Sequence, residues 1–179
     1  MLHFLRISRS VDYIPNPIII NKNQSILSYS NALNSFIGIE NSIKSADARP
    51  LLLAKFLQKY NSPLKPYDYW GVFLVSLADK YTLDYRLLPS IAMQESNLCK
   101  VIPENTYNCL GLGIHSQGTW GFKSFEANFE KAAEILKFNY LDKGYISPEE
   151  IQLKYTPQSN GSWQAAVNHF MDKIENGEF

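Results

Sequence analysis

Residues 87–99 read Leu87-Leu88-Pro89-Ser90-Ile91-Ala92-Met93-Gln94-Glu95-Ser96-Asn97-Leu98-Cys99 and combine a helical apolar pattern with one acidic residue on its apolar side. At helical spacing, Leu88, Ile91 and Ala92 share a face with Glu95, so the pattern predicts an amphipathic helix whose carboxyl points toward the core. Pro89 lies inside the pattern, which predicts that the regular helix begins close to it or is kinked there.

Glu95 is therefore the best functional candidate in the chain. A carboxylate is costly to bury unless it is paired, hydrogen-bonded or protonated. Desolvation raises the pKa of a carboxyl group, and a carboxyl that stays protonated near neutral pH can donate a proton to a leaving group. The alternative is a structural glutamate at the edge of the core that is capped by its neighbours.

Length and charge limit the class of protein. The chain has 179 residues, enough for one domain with a sizeable core, and its 17 Lys and Arg balance its 17 Asp and Glu. Because phosphate binding requires a cationic excess or patch, we expect no nucleic-acid partner. No stretch reaches the roughly 18 to 20 apolar residues of a membrane span. We expect a monomer that needs no metal and no organic cofactor.

Two cysteines, Cys99 and Cys109, bracket a loop that contains Pro103 and Asn105. Their spacing suits a disulfide, and two thiols are too few for a structural zinc site without histidine partners nearby. A disulfide predicts an oxidising, extracytoplasmic compartment. The alternative is a pair of free buried thiols.

Residues 1–46 are rich in Asn, Ser and Ile without a sustained period, and Pro15 and Pro17 interrupt any helix there. We interpret them as an N-terminal extension or linker that is partly disordered. Their start lacks the apolar run of about 7 to 15 residues that a signal peptide needs. Export is therefore expected to be signalled in another way or by an upstream piece.

A mainly helical domain is predicted over residues 47–179. Apolar residues spaced by three and four predict successive helices, and a last helix is predicted over residues 162–174. Polar residues that are plausible helix N-caps precede or open four of the predicted helices: Asp68, Asp84, Ser124 and Ser147.

The segment after Glu95 is the main exception to this helical pattern. Between Cys99 and Trp120 the chain contains several glycines and little periodicity, which predicts a long loop or a small β-hairpin. Long excursions of this kind in compact domains tend to be functional.

Four sequence elements follow one another in a distinctive order. They are Glu95-Ser96 at a helix end, the loop Asn108-Cys109-Leu110-Gly111-Leu112-Gly113-Ile114, the segment Gly118-Thr119-Trp120-Gly121-Phe122-Lys123-Ser124-Phe125, and Tyr155-Thr156-Pro157 followed by Trp163. This series resembles the lysozyme-like superfamily, with the bacterial glucosaminidases and lytic transglycosylases as the nearest branches. The resemblance covers about residues 47–179 and implies a lysozyme-like helical fold.

The resemblance also implies roles for individual residues. Glu95 matches the general acid that protonates the glycosidic oxygen, and Tyr155 matches a catalytic aromatic residue that flanks the cleft. Substrate-binding positions of the family are matched by Ser96, Asn108, Gly111 and Trp120. A glycine there lets a sugar approach the backbone, and an indole stacks on a sugar face. Structural roles are the alternatives: a plain turn for Gly111 and a core position for Tyr155. Trp163 falls on the inward stripe of its helix.

The implied substrate is peptidoglycan or a related glycan, cleaved at β-1,4 bonds next to N-acetylated amino sugars. Glycoside hydrolysis usually pairs two carboxyl groups. Glu104 and Glu126 are the candidates for the second one, and both also fit solvated surface charges. In the lytic transglycosylases a single glutamate suffices, because the sugar's own 6-hydroxyl attacks. The alternatives to an enzyme are a catalytically inactive glycan-binding module and a structural helical domain.

Overall fold

The computed structural model describes residues 47–114 and 118–179. The extension or linker predicted for residues 1–46 lies outside the described residues. Residues 47–179 group as one unit. More than half of its described residues are helical. None of the described helices has the length and apolar character that a membrane span requires.

Six α-helices account for most of the described chain, so the prediction of a mainly α protein is confirmed. In chain order they are α1 (Arg49–Lys59), α2 (Tyr67–Tyr81), α3 (Leu87–Ser96), α4 (Phe125–Ile135), α5 (Pro148–Tyr155) and α6 (Ser162–Asn176). A π-helical turn and a 3-10 turn over residues 136–143 follow α4. The described residues between α3 and α4 form a long loop without a β-strand.

Two of the four predicted helix caps are confirmed. The Ser124 hydroxyl accepts a hydrogen bond from the backbone N–H of Ala127 at the start of α4. At the start of α5, Ser147 and Glu150 form a capping box, in which each side chain accepts from the other residue's backbone N–H. These caps satisfy donors that the first helical turn leaves free.

The other two predicted caps are wrong. Helix α2 begins one residue before Asp68, at Tyr67, with the extended Pro66 in the cap position. Asp68 therefore lies in the first turn, where its negative charge interacts favourably with the positive end of the helix dipole. Asp84 precedes α3 by a full turn, and its carboxylate accepts the backbone N–H of Arg86, which holds the cap position itself.

The core is formed where α1 packs on α2 and α3 packs on α6. Gly71 permits the first contact, because a Cβ at this position would lie only 2.2 Å from the carbonyl oxygen of Pro50. Pro89 is the third residue of α3, where its missing N–H costs nothing because the first turn leaves such donors unpaired. Regular helix therefore begins close to Pro89, as the sequence predicts.

Candidate active site

Glu95 lies in the last turn of α3, one residue before the helix ends. The predicted helical face is confirmed, since Leu88, Ile91 and Ala92 are buried and Glu95 is half-buried beside them. Burial raises the pKa of the Glu95 carboxyl above its ordinary value, and a hydrogen bond from Trp163 acts in the opposite direction. The carboxyl is thus held in surroundings that favour its protonated form.

Trp163 is the direct partner of this carboxyl. Its indole Nε1 donates a hydrogen bond to Glu95 Oε1 over 2.7 Å. The indole is only 4% exposed, which confirms the inward orientation expected from the helical stripe. What the sequence does not indicate is the contact itself, because it joins helices α3 and α6 across a separation of 68 residues.

Gly111 approaches the other carboxyl oxygen with its backbone. A Cβ at this position would lie 3.0 Å from Glu95 Oε2, and the φ of Gly111 is +65°, in the left-handed region that favours glycine. The left-handed φ fits a turn at Gly111, and the approach of a sugar to its backbone stays a prediction. Gly111 borders Oε2 and leaves space there that a side chain would fill.

Asn108 shapes the loop that carries Gly111. Its side-chain amide donates to the Leu112 carbonyl over 2.7 Å and to the Trp120 carbonyl over 3.2 Å, and its oxygen accepts the Leu112 N–H over 3.0 Å. The residue is only 2% exposed. Its amide is bonded to the loop backbone, and its contact with substrate stays a prediction. Asn108 holds the turn from residue 108 to 112 in shape.

Asn128 supports this loop from α4 and was not predicted. It is fully buried, and its oxygen accepts the backbone N–H of Cys109 over 2.9 Å. Its amide nitrogen lies 3.4 Å from the side-chain oxygen of Asn108. A signal was present in the sequence, because Asn128 is a polar residue between Phe125 and Phe129 on the apolar face of α4.

Ser96 fastens the same loop to the end of α3. Its hydroxyl lies 2.8 Å from the carbonyl oxygen of Cys109 and 3.0 Å from that of Ala92, and it accepts the backbone N–H of Cys99 over 2.9 Å. Ser96 is 4% exposed. The hydroxyl is buried and hydrogen-bonded inside the protein, and the contact of Ser96 with substrate stays a prediction.

The chain reverses sharply after α3. Asn97, Leu98 and Cys99 all have left-handed backbone conformations, with φ of 52°, 55° and 69°. Non-glycine residues adopt this region at a cost, so a run of three requires outside support. The Leu98 carbonyl accepts a hydrogen bond from the buried Ser62 hydroxyl, and the predicted disulfide between Cys99 and Cys109 is present. The disulfide thus joins the turn that follows Glu95 covalently to the loop that carries Gly111.

Tyr155 lies beside the carboxyl and touches the loop. Its hydroxyl donates to the carbonyl of Leu110, the neighbour of Gly111, and its ring centroid is 5.1 Å from that of Trp163. Burial, together with the charge of Glu95, raises the pKa of the Tyr155 hydroxyl well above its usual range. Tyr155 is therefore a neutral group, able to position the loop and to accept a hydrogen bond.

Trp120 is an exposed aromatic residue of the loop region, as is Tyr107, and 47% of the surface of Trp120 is accessible. Its indole lies flat against Gly113, where a Cβ would approach the ring to 2.5 Å. Gly111 and Gly113 therefore place Glu95 and Trp120 against neighbouring points of one loop, no more than about 7 Å apart along the backbone. The exposed indole offers an apolar face on the same loop that borders the carboxyl.

The two candidates for a second carboxyl group, Glu104 and Glu126, differ from Glu95 in their surroundings. Glu104 is exposed in the Cys-bounded loop and Glu126 is half-buried in the first turn of α4. Neither contributes to the raised pKa of Glu95, which burial causes. Among the described residues, no carboxylate contributes to the shift in the pKa of Glu95.

Comparison with known proteins adds no family to this description. No protein-family model matches the chain, and no curated protein is significantly similar to it.

Proposed function

We propose that this protein is a peptidoglycan glycosidase that cleaves β-1,4 bonds next to N-acetylated amino sugars, with Glu95 as the general acid. The observation that carries the proposal is the environment of Glu95, which is half-buried, has a raised pKa and keeps one oxygen beside a bare glycine backbone. A carboxyl group in such surroundings remains protonated at higher pH than usual, as general acid catalysis near neutral pH requires.

The neighbours of Glu95 support a sugar as substrate. Glycan recognition uses aromatic faces for the apolar side of the ring and backbone groups for its hydroxyls. The exposed indole of Trp120 and the backbone at Gly111 provide these two kinds of surface on one loop. The proposed lysozyme-like fold rests on this arrangement, with the acid at a helix end, a disulfide-bonded loop and an aromatic residue from the last helices.

Chemistry with one carboxyl group accounts best for the site. Glu95 donates its proton to the glycosidic oxygen, and the bond from C1 to that oxygen breaks with its electron pair moving to the leaving group. In a lytic transglycosylase the same carboxylate then accepts the proton of the 6-hydroxyl as it attacks C1. In a hydrolase, water attacks instead and a second carboxyl group usually activates it. The lack of a carboxylate coupled to Glu95 in the described part of the chain favours the first type.

The disulfide supports an extracytoplasmic location, because such bonds persist in oxidising compartments and are rare in the cytosol. Peptidoglycan lies in such a compartment. Location and substrate therefore support each other within the proposal.

Replacement of Glu95 by Gln tests this function. The amide keeps the shape and the acceptor for Trp163 but has no acidic proton, so release of soluble fragments from purified peptidoglycan should fall by about 100-fold or more while sedimentation with the polymer persists. E134Q is the matched control, since Glu134 pairs with Lys131 on the surface of α4. Mass spectrometry distinguishes anhydro-sugar ends from reducing ends. Wild-type protein that binds peptidoglycan without cleaving it would identify a glycan-binding module instead.

A further inference from the structure

The two carboxyl oxygens of Glu95 have different surroundings. Oε1 accepts the indole N–H of Trp163, whereas Oε2 forms no hydrogen bond with any described residue. The only unpaired and buried side-chain polar atoms in the described part of the chain are the hydroxyl oxygens of Ser90 and Thr156. Oε2 is therefore accessible, and it borders the backbone of Gly111.

This asymmetry limits where a proton can lie. An indole N–H only donates, so the oxygen that faces it must accept. In a protonated carboxyl group, the carbonyl oxygen is the natural acceptor and the hydroxyl oxygen is the donor. A fixed donor at Oε1 therefore favours the carboxyl form whose hydroxyl is at Oε2.

We propose that Trp163 is a positioning residue that keeps the transferable proton of Glu95 on Oε2, at the side of Gly111. This inference rests on the proposed glycosidase function. The proton then leaves Oε2 for the glycosidic oxygen, the bond from C1 to that oxygen breaks, and the bond's electrons go to the leaving group. Glu95 becomes a carboxylate that still accepts the indole N–H at Oε1.

Trp163 also changes the energy of the transfer step. A hydrogen bond to a carboxylate is stronger than one to a neutral carboxyl group. The indole bond therefore tightens as the proton departs and stabilises the carboxylate more than the acid. The same effect explains why Trp163 opposes the rise in the pKa of Glu95 that burial causes.

Few other ionisable groups face this pair. Tyr155 packs against Trp163, and the ring centroid of Tyr140 lies 6.1 Å from that of Tyr155. The pKa values of the Tyr140 and Tyr155 hydroxyls are both raised. The last turn of α3, the first turn of α6 and residues 108–114 contain no titratable side chain except Glu95 itself. A titration at acidic pH in this region can therefore be assigned to Glu95.

Removal of the indole donor tests the proposal without any need for turnover. In W163F, the pKa of Glu95, measured by carbon-13 NMR of its carboxyl group, should rise relative to wild type. W70F is the matched control, because Trp70 is similarly buried, at 3% exposed, and packs on Phe73 and Phe129 in the core. An unchanged pKa in W163F, or equal shifts in the two variants, would overturn the proposal.

Wild-type protein provides a second measurement if W163F does not fold. The chain has three tryptophans, so three indole signals are expected in a proton-nitrogen NMR spectrum. The Trp163 indole proton should move downfield with the midpoint of the Glu95 titration, while those of Trp70 and Trp120 stay in place. This movement should vanish in E95Q. A Trp163 signal that does not follow Glu95 would overturn the proposal.

Activity measurements separate this inference from the proposed function. In W163F, kcat/KM on peptidoglycan should fall by about 10- to 100-fold, and the limb of its pH profile on the alkaline side should move to higher pH with the pKa of Glu95. A fall without movement of that limb counts against the positioning role. Absence of turnover in wild type would refute the glycosidase function, while the NMR titrations would still test whether the indole bond of Trp163 is coupled to the ionisation of Glu95.

Discussion

At the scale of single residues, the candidate site depends on backbone as much as on side chains. The accessible oxygen of Glu95 faces the Cα of Gly111, and the exposed indole of Trp120 rests on Gly113. A glycine adopts a left-handed conformation freely and leaves room for a neighbour, and at Gly111 both properties are used. The arrangement of the site therefore requires glycine at these positions as well as the carboxyl group of Glu95.

Gly111→Ala tests this point. The added methyl group would lie 3.0 Å from Glu95 Oε2 and would obstruct an approaching sugar, so we expect kcat/KM on peptidoglycan to fall by about 10-fold or more. The left-handed φ adds a stability cost of about 1 to 2 kcal/mol. Gly144→Ala is the matched control, since Gly144 also has a positive φ but a Cβ there would meet no atom within 4 Å. Equal losses of activity in the two variants would assign the effect to backbone strain alone.

Single residues also show how far sequence reasoning reaches. Glu95 interrupts an apolar helical face, which identifies it as a candidate, and Asn128 interrupts the apolar face of α4 in the same way. The resemblance predicts substrate contacts for Ser96 and Asn108, and the structure adds that both are buried and bonded to backbone groups. A polar residue near a site either lines it or holds it, and long-range hydrogen bonds decide which.

At the scale of elements, the turn after α3 and the loop that follows form one supported unit. The left-handed run that ends in Cys99 is held by Ser62 and Ser96, and Asn128 of α4 holds the backbone of Cys109. Helical spacing predicts the helices around this unit, and Ser124 predicts the start of α4, because those signals are local. The loop's support comes from distant side chains, which no local pattern reveals.

Loss of the disulfide tests how much this unit depends on its covalent bond. The double variant C99A/C109A should lower the free energy of unfolding by about 2 to 3 kcal/mol, because the bond closes a short loop and removes freedom from the unfolded chain. Urea denaturation measures this change. The single variant S147A, which removes a cap at α5 far along the chain, should cost about 1 kcal/mol and serves as the reference. An unfolding midpoint equal to that of wild type would show that hydrogen bonds alone hold the loop.

At the scale of the whole molecule, the site is built from segments far apart in the sequence. Helix α3 provides Glu95, the loop provides Gly111, and the last two helices provide Tyr155 and Trp163. The packing of α3 on α6 brings these parts together. Binary patterning indicates that both helices bury a face, but their mutual contact depends on the tertiary arrangement, which explains why the role of Trp163 escaped prediction.

The free energy of unfolding should depend on pH because Glu95 is half-buried. Its pKa is higher in the folded chain than its ordinary value of 4.5, so the folded state binds the proton more tightly than the unfolded state. Below about pH 4.5 both states are protonated and Glu95 costs nothing by ionisation. As the pH rises through the folded pKa, the unfolded state ionises first and stability is lost. Gln cannot ionise and still accepts the Trp163 bond, so E95Q should unfold a few degrees above wild type at about pH 7.

This difference should shrink as the pH falls to about 4, as measured by circular dichroism during heating at each pH. E134Q, which loses only a surface pair, should show no such trend. An E95Q variant that is less stable than wild type at neutral pH would mean that the carboxylate is stabilised where it lies, contrary to its raised pKa. Activity and stability then make opposite demands on one residue: the surroundings that keep Glu95 protonated for catalysis are those that make its ionised form costly to the fold.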